Sequence, residues 1–370
     1  MSRPQFKVLA YLAAVIVLGA ILAPPLYWVG KWLAGMIVSF KQEETPLLGW
    51  IGQKLAAHQF DSYFNRAFLV SALGLLWPFL KWMKLGKGSL GLEKNSYWIR
   101  DWWSGFLLAG GFLAGLAALL CGLGAYELVS EVKWGKIIPV ALLTMAAVSL
   151  LEEWVFRGIF LGVALRASHK VVAVVLVSAL FSILHLMRAP DMDPQEPAVA
   201  ARAKSTLRSK NWAYIMNQQR LNPASADWLT DRSMQEFAAS RISWRSGADL
   251  MGLIFQKNFE PTRFVSVFLT LFAIGVILAR SRIATNSLWM PFGLHGGWVF
   301  ANAIFAGMTD ATQALQAGAY TLKTVGAAIP WIGDNLKVGL LPLGTVLVTA
   351  LAQEWWLRRP RKPEPNGNLG

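Results

Sequence analysis

Eight apolar blocks, most of them near or beyond the ~20 residues that cross a bilayer as a helix, constrain this chain more than any other feature. They fall at roughly 8–30, 65–83, 104–126, 137–165, 170–187, 264–281, 287–308 and 338–356. Within hydrocarbon only helices and closed barrels satisfy every backbone N–H and C=O. The blocks are continuous instead of alternating residue by residue, which selects helices. Composition agrees: 55% of residues are hydrophobic and 15% charged, against roughly 45–50% and about 25% in globular domains. Mean hydropathy is +0.42. These figures exclude a water-soluble enzyme, a disordered chain and a disulfide scaffold. The predicted fold is all-α: a polytopic membrane protein of about eight transmembrane helices, with a polar helical insertion between the fifth and the sixth.

The formal charge of +14 does not point to nucleic acid, because no basic face with interleaved aromatic residues is present. The basic residues flank the apolar blocks, as in loops facing anionic lipid. With the N-terminus inside, the inner segments carry Arg3, Lys7, a run from Lys81 to Arg100, Arg166, Lys170, Arg280, Arg282 and a cluster from Arg358 to Lys362. The short loops on the opposite side carry fewer basic residues, among them Lys31, Lys54, Lys133 and Lys337. Both termini are therefore expected in the cytoplasm, and by default the membrane is a bacterial cytoplasmic one. Tryptophans such as Trp28, Trp82, Trp103 and Trp355 sit near block ends, where amphipathic rings favour the interface. The one cysteine, Cys121, makes no intramolecular disulfide and no zinc ribbon. Pro24 and Pro25 make a poor cleavage context, so the first block reads as a retained helix.

The segment 188–263 is polar and begins Pro-rich, then becomes helix-compatible over Asp227–Arg241, while Leu250–Phe255 is apolar enough for an interface. It is read as an extramembrane insertion. Residues 1–135 form the N-terminal helices, 309–359 a loop and last helix, and 360–370 a disordered tail.

Ionisable groups inside spans cost about 3 kcal/mol each on insertion scales and are functional candidates. The fourth span contains Glu152, Glu153 and Arg157, the fifth Phe181 and His185, and the seventh His295 and Asn302. Glu153 and Arg157 are four residues apart, share a helix face and can pair. Glu152 lies about 100° round from Glu153 and needs a partner of its own. At a rise of about 1.5 Å per residue, Glu152 and His185 lie about 21 and 22 Å from the inner Arg166 and Lys170, and His295 about 20 Å from Arg282 ahead of its span, so all three fall at a comparable depth.

A carboxylate and two imidazoles at one depth can deprotonate a water and stabilise the oxyanion of a tetrahedral intermediate. That is peptide hydrolysis without a side-chain nucleophile. Each residue also has a plainer reading. The Glu153–Arg157 pair can be structural, and either histidine can simply bridge helices. Glutamate with two histidines also suits zinc, although HExxH spacing is absent.

The order Glu152-Glu153-x-x-x-Arg157, Phe181-x-x-x-His185 and then a membrane helix with His295 resembles the CPBP family. That family comprises CAAX prenyl endoproteases and bacteriocin-processing or immunity (Abi) membrane proteins. The resemblance covers the fourth to seventh spans, making 136–187 with 264–308 the catalytic membrane core. It implies that Glu152 activates water with His185, Glu153 and Arg157 support them, Phe181 packs beside His185, and His295 belongs to the oxyanion site. One position departs: the family often has Asn four residues after this histidine, where this chain has Val299. Asn302, seven residues on, could replace it only if Gly296-Gly297 distorted the helix.

The resemblance therefore implies an intramembrane endopeptidase without cofactor or metal, acting on a membrane-associated peptide or protein. The alternatives are a zinc-dependent membrane protease and a non-catalytic immunity factor, scaffold or transporter.

Overall fold

The computed structural model describes residues 4–39, 46–84, 95–187, 189, 242–258, 267–316, 321–324, 327–332 and 336–359. Both the helix-compatible run Asp227–Arg241 and the tail 360–370 lie outside them. The described chain is an all-α polytopic membrane protein with a helix at each of the eight apolar blocks. Among the described residues, five helices are long and apolar enough to cross a membrane: Phe6–Ile37, Phe60–Met83, Trp98–Gly122, Trp134–Ala167 and Leu340–Leu357.

The chain divides into two compact units, 1–84 with 186–260, and 85–185 with 261–370. The first contains α1 (Pro4–Ser39), α2 (Pro46–Ala57), α3 (Phe60–Met83) and α8 (Ser246–Asn258). Helix α1 runs unbroken through Pro24 and Pro25. Its core joins Ala23 to Phe60, Phe64 and Ala67 of α3 and to Leu250 and Ile254 of α8. Those two α8 side chains thus bury their apolar surface in protein, where the sequence alone suggested an interface, while Phe255 is exposed. The Asn65 side chain caps this packing by exchanging hydrogen bonds with the backbone of Ala189.

The second unit contains α4 (Trp98–Gly122), α5 (Trp134–Glu153), a π-helical turn (Trp154–Phe160), α6 (Leu161–Ala167), α7 (Lys170–Leu186), α9 (Leu269–Thr285), α10 (Trp289–Met308), the short α11 (Gln313–Gln316) and α12 (Leu340–Leu357). Two small antiparallel pairs complete it. Strand β1 (Tyr126–Leu128) pairs with β2 (Thr309–Ala311), with Tyr126 opposite Ala311, and β3 (Thr321–Thr324) pairs with β4 (Ala327–Pro330). The first pair ties the end of α4 to the end of α10.

Helix α10 is central, with every residue from Met290 to Trp298 buried. A helix covered all round need not present a lipid-facing stripe, which is how it accommodates His295 and several glycines. Glycine sets its distance from α4. A Cβ at Gly293 would collide with the carbonyl oxygen of Trp102, and one at Gly105 would stand 2.6 Å from the carbonyl oxygen of Met290. Small residues spaced by four let two membrane helices touch backbone to backbone. Helix α12 is joined to α9 by the Arg280–Glu354 pair at 2.8 Å and by Gln353, which donates to the carbonyl of Ile277.

Candidate active site

All the site residues lie in the second unit. Helix α5 ends at Glu153, and the chain continues as a π-helical turn, Trp154–Phe160, before resuming as α6. Single π turns widen a helix and are frequent at functional sites. This one begins directly after the paired glutamates and includes Arg157.

Glu153 and Arg157 pair as their spacing predicts, with Nη1 donating to Oε1 at 2.9 Å and neither side chain exposed. Two further contacts seat the guanidinium. Its Nη2 donates to the carbonyl of Gly275 on α9 at 3.4 Å, and it lies 4.4 Å from the centre of the Phe181 ring. Gly275 gave one signal in the sequence, as an isolated glycine within an apolar run. Its reason is close approach: a Cβ there would meet Ser178 of α7 at 2.8 Å.

Glu153 also does something its spacing does not reveal. The same Oε1 accepts a hydrogen bond from His295 Nδ1 at 2.7 Å. Its carboxylate therefore fixes both Arg157 and the imidazole of α10. With Nδ1 bound to a carboxylate, His295 turns Nε2 towards Glu152 Oε2, 3.8 Å away.

His185 reaches the same oxygen from α7, with Nε2 3.3 Å from Glu152 Oε2. Its Nδ1 lies 2.8 Å from the backbone carbonyl of Phe181. A carbonyl can only accept, so Nδ1 carries the proton, and in the neutral ring Nε2 presents its lone pair. Among the described residues Glu152 Oε2 has no direct hydrogen-bond partner. Two imidazole nitrogens thus converge on one carboxylate oxygen, held from behind by a carbonyl and by Glu153.

Accessibility grades across the group. Glu153 and Arg157 are sealed, whereas the side chains of Glu152 and His185 are 26% and 32% exposed. The sealed pair can orient, and the accessible pair can meet a reactant. Phe181 stands between them, 4.2 Å from the His185 ring, 6.2 Å from the His295 ring and against Arg157. It packs on three site residues, where the resemblance implied one.

Asn302 is not brought in. Helix α10 passes without a break through Gly296 and Gly297, which leaves Asn302 about 10 Å beyond His295 along the axis. The distortion that would have recruited it does not occur, because Gly296 faces Met145 and Ser149 of α5 and Gly297 seats on Phe106 of α4. Close packing keeps that turn helical. Among the described residues no group of three or more His, Cys, Asp or Glu has the arrangement of a metal site.

Comparison with known proteins adds one match. Residues 134–301 match the Rce1-like family, described as type II CAAX prenyl endopeptidase Rce1-like. No curated protein and no solved structure matches the chain. The matched stretch begins at the first residue of α5 and includes Glu152, Glu153, Arg157, Phe181, His185 and His295. It ends one residue before Asn302. The match over this segment, with its glutamate pair and two membrane histidines, supports the resemblance to the CPBP family.

Proposed function

We propose that this protein is an intramembrane endopeptidase that hydrolyses a peptide bond with a water activated by Glu152 and His185, without a metal. The observation that carries the reading is the convergence of His185 Nε2 and His295 Nε2 on Glu152 Oε2, at 3.3 and 3.8 Å. The family match supports protease chemistry in general. The division of labour among the residues is our own reading.

In that division, a water lies beside the two groups, one O–H directed to the Glu152 carboxylate and the other to the Nε2 lone pair of His185. As its oxygen bonds to the scissile carbonyl carbon, its proton passes to Glu152, and the carbonyl π pair moves onto oxygen. His295, oriented by its Nδ1 bond to Glu153, donates through Nε2 to that oxyanion when both ring nitrogens carry a proton. Collapse of the intermediate expels the amine, which takes the proton back from Glu152. Arg157 and Phe181 position the others. Substrate is a membrane-associated peptide or protein, with prenylated CaaX sequences the first class to test, and both termini of the enzyme face the cytoplasm.

The test is cleavage of quenched prenylated CaaX peptides, and of a membrane-peptide library, by protein in vesicles. Cleavage that is lost in Glu152→Gln and insensitive to chelator supports the reading. Cleavage lost on chelation and restored by zinc would replace it with a metal mechanism. Full activity in Glu152→Gln would overturn it.

A further inference from the structure

Among the described residues, three buried indole N–H groups have no hydrogen-bond partner: those of Trp154, Trp289 and Trp298. A buried indole ordinarily finds an acceptor, and an orphaned donor costs about 1–3 kcal/mol. Two of the three point to nothing further. Trp289 starts α10, six residues before His295, with its ring against Trp98 and Phe292. Trp154 follows Glu152 by two residues, about 200° round the helix from it.

Trp298 is placed differently. It follows His295 by three residues on an unbroken helix, hence about 60° round and about 4.5 Å along. Only 6% of it is exposed. An oxyanion site needs donors, and the one supplied by His295 is Nε2 alone, because Nδ1 is committed to Glu153. The next turn of α10 offers two positions on either side of the His295 line, 298 and 299. Val299 has no donor. Asn302 lies a further turn away.

We propose that Trp298 Nε1–H is the second oxyanion donor, beside His295 Nε2–H. The proposal rests on the glutamate-peptidase reading. When water oxygen bonds to the carbonyl carbon and its proton moves to Glu152, the new charge on the carbonyl oxygen accepts from both groups. In the free enzyme Trp298 has no acceptor because its acceptor exists only once that charge develops. Interactions made in the transition state and not before are those that raise kcat.

The experiment is kinetic, with a quenched prenylated CaaX peptide and protein in vesicles. Trp298→Phe keeps an aromatic ring and removes the N–H. It lowers kcat about 100-fold, leaves KM within about twofold, and leaves the unfolding temperature near that of the wild type. Adding Val299→Asn, which puts an amide on the same turn, restores about tenfold or more of the loss. If Trp298→Phe fails to fold, benzothienylalanine at position 298 replaces the N–H by sulfur in the same bicyclic shape, and the same fall in kcat is expected. Wild-type kcat in either variant, with Glu152→Gln inactive, overturns the role of Trp298 and leaves the peptidase reading intact. No Glu152-dependent cleavage by the wild type overturns both.

Discussion

His295 Nδ1 stands 2.7 Å from Glu153 Oε1, across 142 residues of sequence. That one contact joins α10 to the end of α5 and turns a local ion pair into part of a site. Glu153 is committed in two directions, to Arg157 on its own helix and to His295 on another. Both commitments use Oε1 and the side chain is sealed from solvent, whereas Glu152 is 26% exposed.

Loss of Arg157 should therefore be felt as instability before it is felt as chemistry. Breaking a sealed ion pair by removing one partner costs about 3–5 kcal/mol. Arg157→Met is expected to lower stability by that order, read as denaturant or thermal unfolding in detergent. Pairing it with Glu153→Gln should recover part of the loss, because the carboxylate no longer lacks its counter-charge. A loss in the double variant equal to the sum of the Arg157→Met and Glu153→Gln losses would mean that the pair contributes nothing as a pair.

Histidine 185 should behave as a reactant. His185→Ala is expected to lower kcat by about 10²–10⁴-fold, the usual range for a general acid–base group, with stability within about 1 kcal/mol, since the side chain is one-third exposed. Activity assays and unfolding curves on the same preparations separate the two effects.

Asn302→Ala is expected to leave kcat within about twofold of the wild type, since the residue stands about 10 Å beyond His295 on an unbroken helix. A fall as large as that of His295→Ala would show that α10 bends when substrate binds.

The contact between α4 and α10 should tolerate no side chain at Gly293. Its Cβ would enter the Trp102 carbonyl, and backbone cannot move aside as a flexible side chain can. Gly293→Ala is expected to cost about 1–3 kcal/mol of stability, the order of overpacking a close-packed interior. Gly111→Ala, on α4 with open space about its Cα, serves as the control and should be near neutral.

What could be read from the sequence was what obeys local rules. Each of the eight apolar blocks is helical, because a bilayer permits little else, and among the described residues five of the helices are long and apolar enough to cross one. Glu153 and Arg157 paired because four residues make one helical turn. The placement of Glu152, His185 and His295 at one depth followed from counting rise per residue. Long-range commitments were not legible: nothing in the spacing says that Glu153 would accept from His295, or that the Phe181 carbonyl would fix the His185 ring. The π turn was equally hidden, since Trp154–Phe160 has no residue that a regular helix would refuse. The idea that Gly296-Gly297 would bend α10 failed for a physical reason. Glycines can kink a helix or let it approach a neighbour, and only the neighbours, Met145, Ser149 and Phe106, decide which.

The most direct test of the central claim is peptide hydrolysis by the wild type and by Glu152→Gln, both folded and reconstituted in vesicles, with and without chelator. The account predicts cleavage by the wild type that chelator does not reduce, and a loss of at least about 10³-fold in Glu152→Gln. Cleavage by Glu152→Gln at the wild-type rate would contradict it.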